Sequence, residues 1–127
     1  MASTTFTGPV TSLNGFIGAI TGNITGNITG DVFASVQSLS GAGAVNLTDM
    51  MTSLTTTGAS QALTLANGTV GQIKIITHTV DGGSAVLTPT TKIGFSTVTF
   101  TNVGDTVMMI YTAAGWAIIG SRGVTIA

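Results

Sequence analysis

The sequence predicts an all-β protein: an antiparallel β-sandwich or barrel preceded by an extended Gly/Thr-rich N-terminal arm. Three observations predict it. In the second half of the chain, short runs of β-branched and aromatic residues recur every 8 to 12 residues or so, the spacing of strands joined by tight turns. Asn-Gly, Asp-Gly and Ala-Gly sequences separate the runs and supply the positive φ that tight turns demand. Charged residues make up only 6% of the chain, against about 25% in an ordinary soluble domain.

The strands are clearest over residues 59–127. Ala62 to Leu65 is a short strand closed by Asn67-Gly68. Gln72 to Val80 is a long β-branched run, and Asp81-Gly82-Gly83 reads as a hairpin loop from which Ser84 to Thr88 returns. Pro89 lacks a backbone N–H and ends that strand. Thr97 to Phe100 alternates cleanly, Asn102 to Asp105 turns the chain, and Thr106 to Thr112 is the next strand. Ala113-Ala114-Gly115 turns it again into Trp116 to Ser121, and Val124 to Ile126 closes the domain.

Residues 1–58 have a different texture and form the expected arm or assembly region. They contain an internal repeat of period four: Thr21-Gly22-Asn23-Ile24, Thr25-Gly26-Asn27-Ile28, Thr29-Gly30-Asp31-Val32. A glycine in each repeat costs a helix roughly 1 kcal/mol against alanine, so the segment reads as extended. Extended geometry places Ile20, Ile24, Ile28 and Val32 on one face, with glycines between them that allow another backbone to approach. These four residues, with Trp116 as an aromatic anchor, are the candidate assembly residues. Between 31 and 58 the spacing is ambiguous. Val32, Phe33, Val36 and Leu39, and again Leu47, Met50, Met51 and Leu54, fit short helices, strands or connectors equally.

The composition also narrows function. Three Lys or Arg against four Asp, with no Glu, give a net charge of -1. That is too little positive charge for a nucleic-acid groove or an anionic membrane surface. No apolar run approaches the roughly 18 residues a membrane span needs. The absence of cysteine excludes disulfides and thiolate metal sites. A β-domain of about 70 residues is marginal alone, and so few charges leave much surface to be covered by other chains. Self-association answers both problems.

The sequence offers no catalytic constellation. Asp81 and Asp105 sit in turn motifs, where Asp is expected for local hydrogen bonding. His78 lies between two threonines in a strand with no nucleophile motif to serve, and reads as facing solvent or a subunit contact. No glycine pattern matches a phosphate cradle. The expectation is a protein that is not an enzyme and takes no cofactor or metal.

Taken together, Gly71-Gln72-Ile73-Lys74-Ile75-Ile76, Asp81-Gly82-Gly83, Leu87-Thr88-Pro89, Thr97-Val98-Thr99-Phe100, Val103-Gly104-Asp105, Trp116-Ala117-Ile118-Ile119-Gly120-Ser121 and Gly123-Val124 resemble a β-domain of small bacteriophage virion proteins. These include the capsid decoration (cement) proteins of cyanophages and the ends of fibre proteins. The resemblance covers residues 59–127. It implies a homotrimer on the capsid surface of the virion, bound to the major capsid protein where capsomers meet. The alternative it implies is a head- or tail-fibre module that binds a receptor through its exposed loops.

Overall fold

The computed structural model describes residues 24–127 together with Thr7, Gly8, Leu13 and Gly22. The chain divides into two units, Met1–Asp31 and Val32–Ala127, and each is described by itself.

The larger unit is all-β. Its strands are β1 (Val36–Ser40), β2 (Gly43–Val45), β3 (Met51–Thr55), β4 (Gln61–Leu65), β5 (Ile73–Val80), β6 (Ala85–Pro89), β7 (Val98–Phe100), β8 (Thr106–Thr112), β9 (Gly115–Arg122) and β10 (Thr125–Ile126). They form two five-stranded sheets that pack as a sandwich. The first sheet runs β1-β3-β5-β8-β9 and the second β10-β7-β6-β4-β2.

Both sheets are mixed, which corrects the antiparallel expectation. Successive strands from β1 to β6 alternate between the sheets, so the chain winds back and forth three times. Val36, Met51 and Ile75 stack in parallel register in the first sheet. Gly43, Leu63 and Leu87 do so in the second. Antiparallel strands then complete each sheet: β8 and β9 beside β5, and β7 and β10 beside β6. The hairpin expected at Asp81-Gly82-Gly83 is therefore a crossing from one sheet to the other. The hairpin at Ala113-Ala114 does form, with Thr112 opposite Gly115.

Glycine makes the stacked crossings possible. A Cβ on Gly82 would overlap the Thr56 carbonyl, and one on Gly83 would overlap the Gly58 carbonyl. Gly83 also has φ +146, which side chains rarely tolerate. The β5–β6 crossing thus lies directly on the β3–β4 crossing, backbone against backbone.

Alternation builds the core. Alternate residues are buried in β3 (Thr52, Leu54), β5 (Lys74, Ile76, His78) and β8 (Val107, Met109), as period-two geometry requires. Leu54, Leu63, Leu65, Ile76, Leu87, Val98, Phe100, Val107, Met109 and Trp116 have no exposed surface. The β-domain starts well before residue 59, because β3 pairs with β5, β1 with β3, and β2 with β4. The helical spacings between 32 and 54 do not produce helices. Met51 to Thr55 pairs with a strand on each side, and Asn46 closes a bend by accepting the Asp49 N–H at 3.0 Å.

Candidate interaction surface

Residues of β5 that alternate with its buried ones face outward, and their neighbours across the sheet are fixed by register. One row crosses all five strands: Val36, Met51, Ile75, Met108, Gly120. Beside it runs a second row, Ile73, Ile110, Ala117. A third, Ser38, Ser53, Thr77, Thr106, Arg122, is polar. The outer face of the first sheet thus carries two apolar rows where a solvated sheet would alternate to polar side chains. The outer face of the second sheet is different. It presents Ala44, Thr64 and Thr88 in one row and Ala62, Val86, Thr99 and Thr125 in another.

Charge sharpens the contrast. The ten strands contain only two Lys or Arg side chains and no Asp. Lys74 points into the interior with no exposed surface, which leaves Arg122 in the edge strand β9 as the one formal charge that the ten strands carry outside the core. Near the same edge, Ile93, Phe95, Ala117, Ile118 and Ile126 line an apolar groove.

The arm contributes apolar groups of its own. Ile24 and Ile28 are 55% and 58% exposed, and Val32, the first residue of the larger unit, is 73% exposed. The period of four is conformational as well as chemical: Gly22, Gly26 and Gly30 have φ of +122, +129 and +125. A glycine of positive φ at every fourth position breaks strict two-residue alternation, and Ile24 and Ile28 each stand two residues after one. Ile20 lies outside the described residues. Trp116 does not belong with this set. It is fully buried, its indole N–H donates to the Ala66 carbonyl at 2.9 Å, and its ring meets Tyr111 edge-on at 5.1 Å. It is a core residue, not a surface for a partner.

Three titratable side chains are buried, Lys74, His78 and Asp105, and sequence reasoning missed the first two. His78 is fully enclosed, which corrects its reading as a solvent or subunit-contact residue. Lys74, Ile76 and His78 share the inward face of β5. Because Ile73 and Ile75 on the other face are equally apolar, no alternation in the sequence distinguishes inside from outside. Asp105 performs the local role read from its motif, accepting the backbone N–H groups of Thr101 and Asn102 at 2.8 and 2.9 Å. Burial alone would raise its carboxyl pKa. Those two N–H groups and the Thr101 hydroxyl outweigh burial and hold it below its ordinary value of 3.8. Asp81 likewise accepts the Gly83 N–H, at 2.9 Å. Among the described residues, no three His or Asp side chains converge as metal ligands.

Comparison with protein-family models, with curated proteins and with solved structures found no match. The geometry of the chain therefore carries the functional argument.

Proposed function

We propose that this chain is a structural virion protein: a capsid decoration (cement) protein that seats as a homotrimer between capsomers of a phage head. The observation that carries the reading is the outer face of the first sheet, where Val36, Met51, Ile75 and Met108 form an apolar row across a surface almost free of formal charge. Large apolar rows of this kind mark surfaces meant for burial. Coverage by sister chains and by the shell would turn that area into binding energy, and a protein seated on a shell needs little charge to stay in solution. The exposed Ile24 and Ile28 of the arm supply a second apolar surface for the same assembly.

The test has two parts. In purified virions, quantitative mass spectrometry should find the chain at an abundance comparable to the major shell protein. A few copies per particle would favour a fibre part, and absence would overturn the virion reading. In the isolated protein, Ile75→Lys with Met108→Lys should leave a folded monomer by circular dichroism while abolishing trimers in sedimentation and binding to capsids. Normal trimers and normal capsid binding from that variant would remove the sheet face from the argument, and the same result from Ile24→Asp with Ile28→Asp would remove the arm.

A further inference from the structure

Lys74, buried, and Asn46 and Asp49, half-buried, form a constellation that docking does not explain. Lys74 sits on the inward face of β5 with no exposed surface. Its amine donates to the Asp49 main-chain carbonyl at 2.6 Å and lies 3.5 Å from Asn46 Oδ1. Asn46 follows β2 and Asp49 precedes β3, so the bend between these strands holds both against the lysine. The Asn46 carboxamide is gripped on two sides: its Oδ1 accepts the Asp49 backbone N–H at 3.0 Å, and its Nδ2 donates to Asp49 Oδ2 at 2.7 Å. Its own backbone N–H is tied to Gln37 Oε1 at 2.9 Å.

These contacts match the needs of acyl transfer to an amine. A lysine amine is a nucleophile only when neutral. Burial pushes the Lys74 amine below its ordinary pKa of 10.5 and prevails over the opposing pull of the Asp49 charge. A carboxamide resists attack unless its oxygen is stabilised as negative charge develops and its nitrogen receives a proton on leaving. The Asp49 N–H is positioned for the first task and the Asp49 carboxylate for the second. Holding amine and carboxamide together in one folded site supplies proximity that free amides in water lack.

We propose that Lys74 and Asn46 form an intramolecular isopeptide bond, with Asp49 as the catalytic acid–base group. The Lys74 Nζ–Asn46 Cγ bond forms and the Asn46 Cγ–Nδ2 bond breaks. One proton passes from Nζ through the Asp49 carboxylate to Nδ2, which leaves as ammonia. Nothing is oxidised or reduced. Asp49 also lines an open groove with Leu47, Met50, Gln72 and Ile73, through which ammonia departs. The bond ties β5 to the β2–β3 bend and closes the chain between residues 46 and 74 into a covalent loop. The proposal does not depend on the decoration reading.

Mass spectrometry of the full-length purified protein decides it. The folded chain should be lighter than its sequence mass by one ammonia. Trypsin should fail to cut after Lys74, and cyanogen bromide cleavage at Met50 and Met51, which lie between the two reacting residues, should yield a branched peptide joining Asn46 to Lys74. Succinimide formation at Asn67-Gly68 would also release ammonia, so the branched peptide, not the mass alone, is the criterion. Asn46→Ala and Lys74→Arg should both abolish the branched peptide, and Asp49→Ala should slow its appearance in a protein that retains both reacting residues. Full sequence mass with normal cleavage after Lys74, in folded protein after prolonged incubation, would overturn the proposal. So would mass loss without a branched peptide.

Discussion

The imidazole of His78 meets the hydroxyl of Thr56 at 2.9 Å, Nε2 to Oγ1, wholly inside the sandwich. Thr56 is the busier partner. Its hydroxyl also accepts the Gly82 N–H at 2.9 Å and lies 3.1 Å from the Gly83 carbonyl. One hydroxyl proton serves one acceptor, and the Gly83 carbonyl has no proton to give. Donation to that carbonyl leaves His78 Nε2–H as the donor to Thr56 and Nδ1 as a bare lone pair, consistent with Nδ1 having no partner. Thr56→Val keeps the shape but strands the Gly82 N–H and the imidazole N–H. It should cost about 1–3 kcal/mol in urea unfolding. His78→Leu leaves the Thr56 contacts to Gly82 and Gly83 intact and removes an unpaired nitrogen, so it should change stability by less than about 1 kcal/mol. Equal losses from the two variants would refute this hierarchy.

The stacked crossings give a second prediction. Gly83→Ala must place a methyl group where the Gly58 carbonyl already lies, at a φ of +146. Neither crossing has room to retreat, because Ser60 N–H bonds to the Ser84 hydroxyl at 2.8 Å and Gln61 N–H to the Ser84 carbonyl at 2.9 Å. The variant should lose more than about 2 kcal/mol by denaturant titration. Gly71→Ala provides the comparison. Its φ is also positive, +90, but a Cβ there meets nothing within 4 Å, so it should suffer the backbone penalty alone.

Strand positions over residues 59–127 were legible because each run is bounded by turn residues, and β4 to β10 fall where the pattern puts them. The parallel winding was not legible. Its register partners Val36, Met51 and Ile75 are unequally spaced along the chain, so no repeat length appears in the sequence. Asp81-Gly82-Gly83 misled for a related reason: the same residues that build a hairpin also permit two crossings to lie in contact. The interaction surface was half visible. The Ile/Gly repeat announced itself, whereas the Met51, Ile75, Met108 row exists only once three distant strands are placed side by side. Lys74 escaped notice because a lone lysine in a strand is ordinarily on the outside.

Asp105 makes stability depend on acid in a defined way. Its carboxyl titrates below 3.8 in the folded chain, so the unfolded chain binds the proton more readily. The stabilisation from Asp105 is therefore fully present above its unfolded pKa and is lost as pH falls through the folded one. Asp105→Asn preserves an oxygen for the Thr101 and Asn102 N–H groups and removes the titration. Urea midpoints measured from neutral pH down to about pH 2 should fall less steeply in the variant than in the wild type. Parallel curves would show that the carboxylate charge contributes nothing to this turn.

Trp116 separates folding from assembly. It is fully buried, is packed edge-on against Tyr111 and anchors the loop after β4 through the Ala66 carbonyl. Its backbone N–H also holds the Thr91 carbonyl at 2.9 Å, but that bond survives any side-chain change. Trp116→Ala should therefore lower stability by about 3–5 kcal/mol, the range for emptying a large aromatic site, and the loss should be the same at every protein concentration if the chain is held monomeric by Ile75→Lys with Met108→Lys. Trp116→Phe keeps a ring against Tyr111 and gives up the indole hydrogen bond and part of the volume, so it should fall between Ala and wild type. A Trp116→Ala chain that keeps its monomer stability and fails only to associate would reverse the assignment and return Trp116 to the interface.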